Sequence, residues 1–144
     1  MKLSSKSEYA LLALLELAKH YQNDESLHVR EIAALQNLPK SYLEQILATL
    51  KRGGLIRSTR GSKGGYVLAH DPKNITVWDV VNCMEGADGR PASDSTLKAA
   101  DNDVIEEIWQ LACQEAYSVL QKCTLSDLYE RQATRQQMEN MYYI

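Results

Sequence analysis

Two basic residues, Arg60 and Lys63, stand among three glycines, Gly61, Gly64 and Gly65, in the stretch STRGSKGGYVLAHDP from Ser58 to Pro72. A glycine-softened turn carrying positive charge suits phosphate: glycines let the backbone come close, and Arg and Lys supply the cations. Nucleotide phosphates are one such target, but GSKGG lacks the GxxxxGK[ST] spacing, and the following YVLA has the pattern of a strand, not a helix. The polyphosphate of a nucleic acid is the other target, and an arginine at such a turn can also enter a minor groove.

The remaining residues with chemical potential do not assemble into a motif. The histidines His20, His28 and His70 are scattered, with no cysteine near any of them, and read as surface or cap residues. The three cysteines, Cys83, Cys113 and Cys123, are odd in number and far apart, the pattern of reduced thiols rather than of a disulfide framework. They read as small buried apolar residues. The acids from Asp94 to Glu107 solvate a loop and a helix start. No arrangement for nucleophilic catalysis can be argued, so the chain is read as a non-enzyme.

The elements that must position the basic turn are legible around it. Ser5 and Glu8 fit a capping box that opens a Leu/Ala-rich helix running to about Tyr21. A short helix spans 29–36, and Leu38-Pro39-Lys40 is a tight turn. Ser41 and Glu44 fit a second capping box, opening a helix to Arg52. There Leu43, Ile46, Leu47 and Leu50 fall at i, i+3, i+4 and i+7 and define a buried face. The opposite face, with Ser41, Gln45, Ala48 and Arg52 flanked by Tyr42, Glu44 and Thr49, is polar and mostly short. Gly53-Gly54 ends the helix. Leu55–Thr59 and Tyr66–Ala69 read as the strands of a hairpin around the basic turn. Thr76 and Asp79 cap a helix with Val77, Val80, Val81 and Met84 on one side.

Helix, short helix, turn, short helix, hairpin is the order of a helix-turn-helix followed by a wing. The fold class expected is therefore mainly α: a winged helix-turn-helix over 1–86, a connecting segment over 87–103, and a long helix with a final helix over 104–144. The long helix keeps an apolar stripe of Ile105, Ile108, Ala112, Ala116, Val119, Leu120 and Cys123. So long a stripe exceeds what a small winged core can cover, so a second copy of the chain is its expected partner, making a homodimer.

Charge divides the chain. Residues 1–76 hold 11 Lys and Arg against 7 Asp and Glu, a net of +4, whereas 77–144 hold 5 against 12, a net of −7. The first half can attract a polyanion and the second cannot. Nothing in the chain approaches the apolar run of about 20 residues that a membrane helix needs, and a cytoplasmic location is expected. The 144 residues correspond to one domain, or to one domain with an appendage.

The segments MKLSSKSEYALLALLELA and SYLEQILATLKRGGLIRSTRGSKGGYVLAHDPKNITVWDVV resemble the bacterial winged-helix regulators typified by IscR, NsrR and CymR. The resemblance covers residues 1–86 closely and continues more loosely through IWQLACQEAYSVLQKCTLSDL. It implies a homodimeric regulator of double-stranded DNA, usually a repressor and sometimes also an activator, whose long helix crosses to the other subunit. Ser41, Tyr42, Glu44 and Gln45 match the family's recognition helix, and Arg60, Gly61, Lys63 and Gly64 its wing. Lys2, Ser4 and Tyr9 match positions that resemble phosphate contacts. Glu44 has two readings: it accepts from a cytosine amino group, or it closes the capping box with Ser41.

The resemblance also brings an iron–sulfur cluster into view, but the family's usual three closely spaced cysteines are absent from 87–103. Asp103 falls near the last of those cysteines and Glu106 near a ligating histidine. With Cys83, Cys113 and Cys123 they are the weak candidates for a metal or cluster site. Thiolates are the ordinary cluster ligands, so the family's standard site is absent. The 87–103 segment is read as the sensing element, responsive to iron–sulfur, redox or metabolic status. Its input is either a metal or cluster drawn to Asp103, Glu106 and a cysteine or, the favoured of the two, a protein effector, a metabolic enzyme among the candidates. A different class stays open: a module whose wing and helix bind a partner protein and no DNA.

Overall fold

A computed structural model of the chain describes residues 3–61, 64–86 and 103–142. Helix α1 spans Ser5–His20 and contributes Ala10, Ala13, Leu14 and Leu17 to the core. Its N-cap is Ser4, whose hydroxyl accepts from Ser7 N at 3.2 Å. The expected Ser5–Glu8 capping box therefore does not form: Ser5 is already helical, and the cap is a single bond donated by the backbone N–H of Ser7, itself fully buried, to Ser4. The Glu85 carboxylate accepts hydrogen bonds from both the Ser4 and the Ser7 hydroxyls, tying the start of α1 to the end of α4.

A 3-10 turn at Tyr21–Asn23 leads through Asp24, in the left-handed region, towards α2, Val29–Gln36. His28 precedes that helix as its N-cap, and its backbone N–H donates to the Glu31 carboxylate at 3.2 Å. Asn37, with φ 53°, closes α2 and makes the turn into α3, Lys40–Arg52. The four residues assigned to the inner face of α3, Leu43, Ile46, Leu47 and Leu50, are its four buried residues. The expected Ser41–Glu44 capping box does not form. Pro39 is the N-cap, its carbonyl accepting from Leu43 N at 3.0 Å, so Ser41 already lies inside the first turn.

The wing consists of β1, Ile56–Thr59, and β2, Gly65–Leu68, paired antiparallel with Ile56 opposite Leu68 and Thr59 opposite Gly65. It is fastened to the helical body at its base. Leu27 and Tyr66 exchange backbone hydrogen bonds of 3.0 and 2.8 Å, and a Cβ on Gly65 would fall 2.6 Å from Leu27 O. Gly65 thus serves the docking of the wing on its own body. At the tip, Gly61 takes φ +115°, and Gly64 N donates to Gly61 O at 2.9 Å.

A 3-10 turn, Pro72–Asn74, precedes α4, Val77–Gly86, whose Thr76 and Asp79 form the expected capping box: Thr76 N to Asp79 Oδ2 is 2.9 Å and Asp79 N to Thr76 Oγ1 is 3.1 Å. Helix α5 spans Asp103–Lys122, and α6 spans Leu125–Tyr142. The link between them is stitched to the segment before α4, with Val77 N donating to Cys123 O at 2.8 Å and Leu125 N to Ile75 O at 2.9 Å. Leu125 is fully buried, and α6 packs along α1. Helix α5 leans on α4, where Trp78 and Tyr117 stack with ring centroids 4.7 Å apart. No residue of α5 is buried.

Candidate nucleic-acid interface

One face of α3 is used up by the core, and that fixes what the other face presents. Ser41, Glu44, Gln45, Ala48 and Arg52 are all exposed on it. Tyr42 is half-buried and meets Tyr9 of α1 edge to face, centroids 5.6 Å apart at 82°, which anchors the first turn of α3 against α1. Glu44 has Lys40 Nζ at 3.9 Å and is exposed. Such a surface pair contributes little to stability, so the Glu44 carboxylate remains available to an external donor. Of its two readings, the cap with Ser41 is removed by the geometry.

The far end of the face is self-organised. Arg52 Nη2 donates to Thr49 Oγ1 at 3.3 Å, and Thr49 Oγ1 donates in turn to Gln45 O at 3.1 Å. On the wing, Arg60 and Gly61 are exposed at the tip. Lys63 and Lys2, expected phosphate contacts, lie outside the described residues. Tyr9 is half-buried beneath Tyr42. Ser4, a further expected contact, is constrained: its hydroxyl donates to Glu85 and accepts from Ser7 N. It has no proton left for a phosphate while that arrangement holds. The residues added by the structure are Pro39, which sets where α3 begins, and Lys40, whose pairing with Glu44 places it on the same face. The sequence signal for Pro39 was its fixed φ one residue before the helix.

The cysteines do not converge. All three are free and half-buried. The Cys83 thiol donates to Thr49 O at 3.7 Å, and burial pushes it above the usual thiol range, partly offset by the positive charge of Arg52. Among the described residues no three His, Cys, Asp or Glu side chains come together as a metal-binding group. Asp103 and Glu106 stand in the first turn of α5 apart from any cysteine cluster. The described donor set does not fit an iron–sulfur cluster. The expected sensor segment lies, but for Asp103, outside the described residues.

A buried inner face, a polar outer face on the second helix of a helix-turn-helix and a basic hairpin tip define a DNA-binding winged-helix protein. Residues 3–131 match the model of the Rrf2 family, described as iron-dependent transcriptional regulator. The chain belongs to that family, and it is a DNA-binding transcriptional regulator, not an enzyme. It is 37% identical over 129 residues to the HTH-type transcriptional regulator CymR of Bacillus subtilis, covering 89% of each chain. It is 33% identical over 134 residues to the regulator IscR of Yersinia enterocolitica, covering 92% of this chain and 81% of that one. Among solved structures, IscR of T. potens superposes with a TM-score of 0.77 at 34% identity, covering 91% of this chain and 88% of the other. B. subtilis CymR, titled the global cysteine regulator, superposes at 0.76 with 32% identity, covering 91% and 98%. Among the described residues no helix is long and apolar enough to cross a membrane.

Proposed function

We propose that the protein acts as a homodimeric repressor that binds an inverted-repeat operator, placing α3 in the major groove and the wing tip against the adjacent backbone or minor groove. The observation that carries this reading is the division of α3 into four buried leucine and isoleucine residues and an exposed face of Ser41, Glu44, Gln45 and Arg52. Gln45 has the chemistry to read adenine and Glu44 to accept from the cytosine amino group. Arg52, Arg60 and Lys63 supply phosphate charge, and Tyr9 supports Tyr42 at the groove edge.

Residues 1–86 serve as the DNA-binding unit and 104–144 as the dimerising unit, with 87–103 between them as the input element. The input favoured is a partner protein, because Asp103 and Glu106 are hard carboxylate ligands and suit iron–sulfur ligation poorly. The test is affinity for duplex DNA across a salt series. The reading predicts a linear fall of log affinity with log salt from counterion release. Arg60→Ala flattens that slope by about one unit if it contacts phosphate. Affinity independent of salt would reject DNA as the target and favour the protein-interaction alternative.

A further inference from the structure

A solvent-open cleft of about 540 Å³ lies between the C-terminal end of α3 and α4, lined among others by the exposed Arg52, Gly53, Asp79 and Asn82 and by Leu55 and Cys83. Its volume lies within the range of small-molecule clefts. Asp79, Asn82 and Cys83 follow at i, i+3 and i+4 on α4 and so share one face. The apolar lining comes from Leu55, itself buried, and from the half-buried thiol of Cys83, which burial pushes above the usual thiol range.

The polar lining is bipolar. Arg52 stands on the α3 side and Asp79 on the α4 side, and among the described residues they form no ion pair with each other. Asp79 uses Oδ2 to cap α4, which leaves Oδ1 as an acceptor. The Asn82 amide, also in the lining, makes no hydrogen bond among the described residues. A cation, an anion and an amide around one small cleft with an apolar lining match a small zwitterion better than a simple anion or amine, each of which would leave one charge unanswered.

We propose that this cavity binds a free α-amino acid, its carboxylate on Arg52 and its ammonium on Asp79 Oδ1 and the Asn82 carbonyl, and that occupancy opposes DNA binding. The second half rests on the reading of Arg52 as a DNA-facing cation: a carboxylate that occupies the guanidinium bidentately withdraws it from phosphate. Antagonism is then reciprocal, each ligand weakening the other by the same factor.

The experiment begins on the full chain without DNA. Thermal unfolding is followed with individual L-α-amino acids, and for any that act, with the N-acetyl and carboxamide derivatives of the same compound. The expected result is a raised Tm with at least one free amino acid and none with its two blocked forms. Asn82→Trp, at an exposed position, fills the cavity and abolishes the shift, with circular dichroism verifying the fold. The same amino acid then weakens binding to a duplex recovered by selection about tenfold in the unaltered protein, within the usual range of site coupling, and not at all in Asn82→Trp. No Tm shift with any amino acid, a shift that survives in Asn82→Trp or in the blocked forms, or undiminished DNA affinity overturns the proposal. A protein that binds no DNA at all would instead reject the operator reading, and the Tm series would still decide the cavity.

Discussion

At Gly53 an absent side chain determines how closely the end of α3 approaches α4. A Cβ built there collides with Cys83 Sγ and lies 3.6 Å from Cys83 Cβ, so the sulfur alone is the obstacle. The backbone at Gly53, φ −75°, would accept alanine without strain. Gly53→Ala should therefore destabilise the protein by about 1–3 kcal/mol, the usual cost of overpacking, and should cost much less in a Cys83→Ala background. Urea denaturation of the four proteins of the cycle measures this; an equal cost in both backgrounds would place the strain elsewhere. The same residue scale explains what the sequence could not deliver about caps. Ser4 and Ser5 are neighbouring candidates with the same hydroxyl chemistry, and the Ser41 hydroxyl lies two residues inside a cap that Pro39 makes through its backbone carbonyl alone. The choice was made by Glu85, at the far end of α4, and by the fixed φ of proline, and the first of these is invisible to local reading.

Among the elements, α5 raises the clearest question, because it exposes Ile105, Ile108, Trp109 and Val119 at 65, 62, 64 and 66%. Exposure on that scale over one helix face belongs to a surface awaiting a partner. The apolar stripe was legible by its period. Its orientation was not, since that depends on Trp78 stacking on Tyr117 and on the bonds at Val77 and Leu125. Those contacts turn Cys113 and Tyr117 inward and leave Ala116 and Leu120 half-buried at the edge of the stripe. They also bring Val104, Trp109 and Leu111 into it, residues the spacing argument did not select. Ile108→Glu combined with Val119→Glu should convert a dimer into a monomer in sedimentation velocity, with operator affinity falling as the second half-site is lost. An unchanged dimer would remove α5 as the interface. The wing shows a similar division: both strands were legible from alternation, whereas the reason for Gly65 lies in Leu27, far upstream in the chain.

At the scale of the whole molecule, the division of charge follows the division of labour. The +4 half carries the outward face of α3 and the wing, and the −7 half carries the exposed stripe of α5. An acidic half, the one proposed to dimerise, repels DNA and so favours approach through the basic winged face. In the proposed homodimer, two winged units related by a two-fold axis would impose two-fold symmetry on their site, with half-sites about 10 bp or a multiple apart. The central claim is that the exposed face of α3 reads that sequence. In vitro selection from a randomised duplex pool, run in parallel on the unaltered protein and on Gln45→Ala, tests it most directly. The account predicts an inverted-repeat motif for the unaltered protein. It predicts relaxed preference at one base pair per half-site for Gln45→Ala, at about 1–3 kcal/mol for a bidentate contact. An identical motif from both proteins would contradict it.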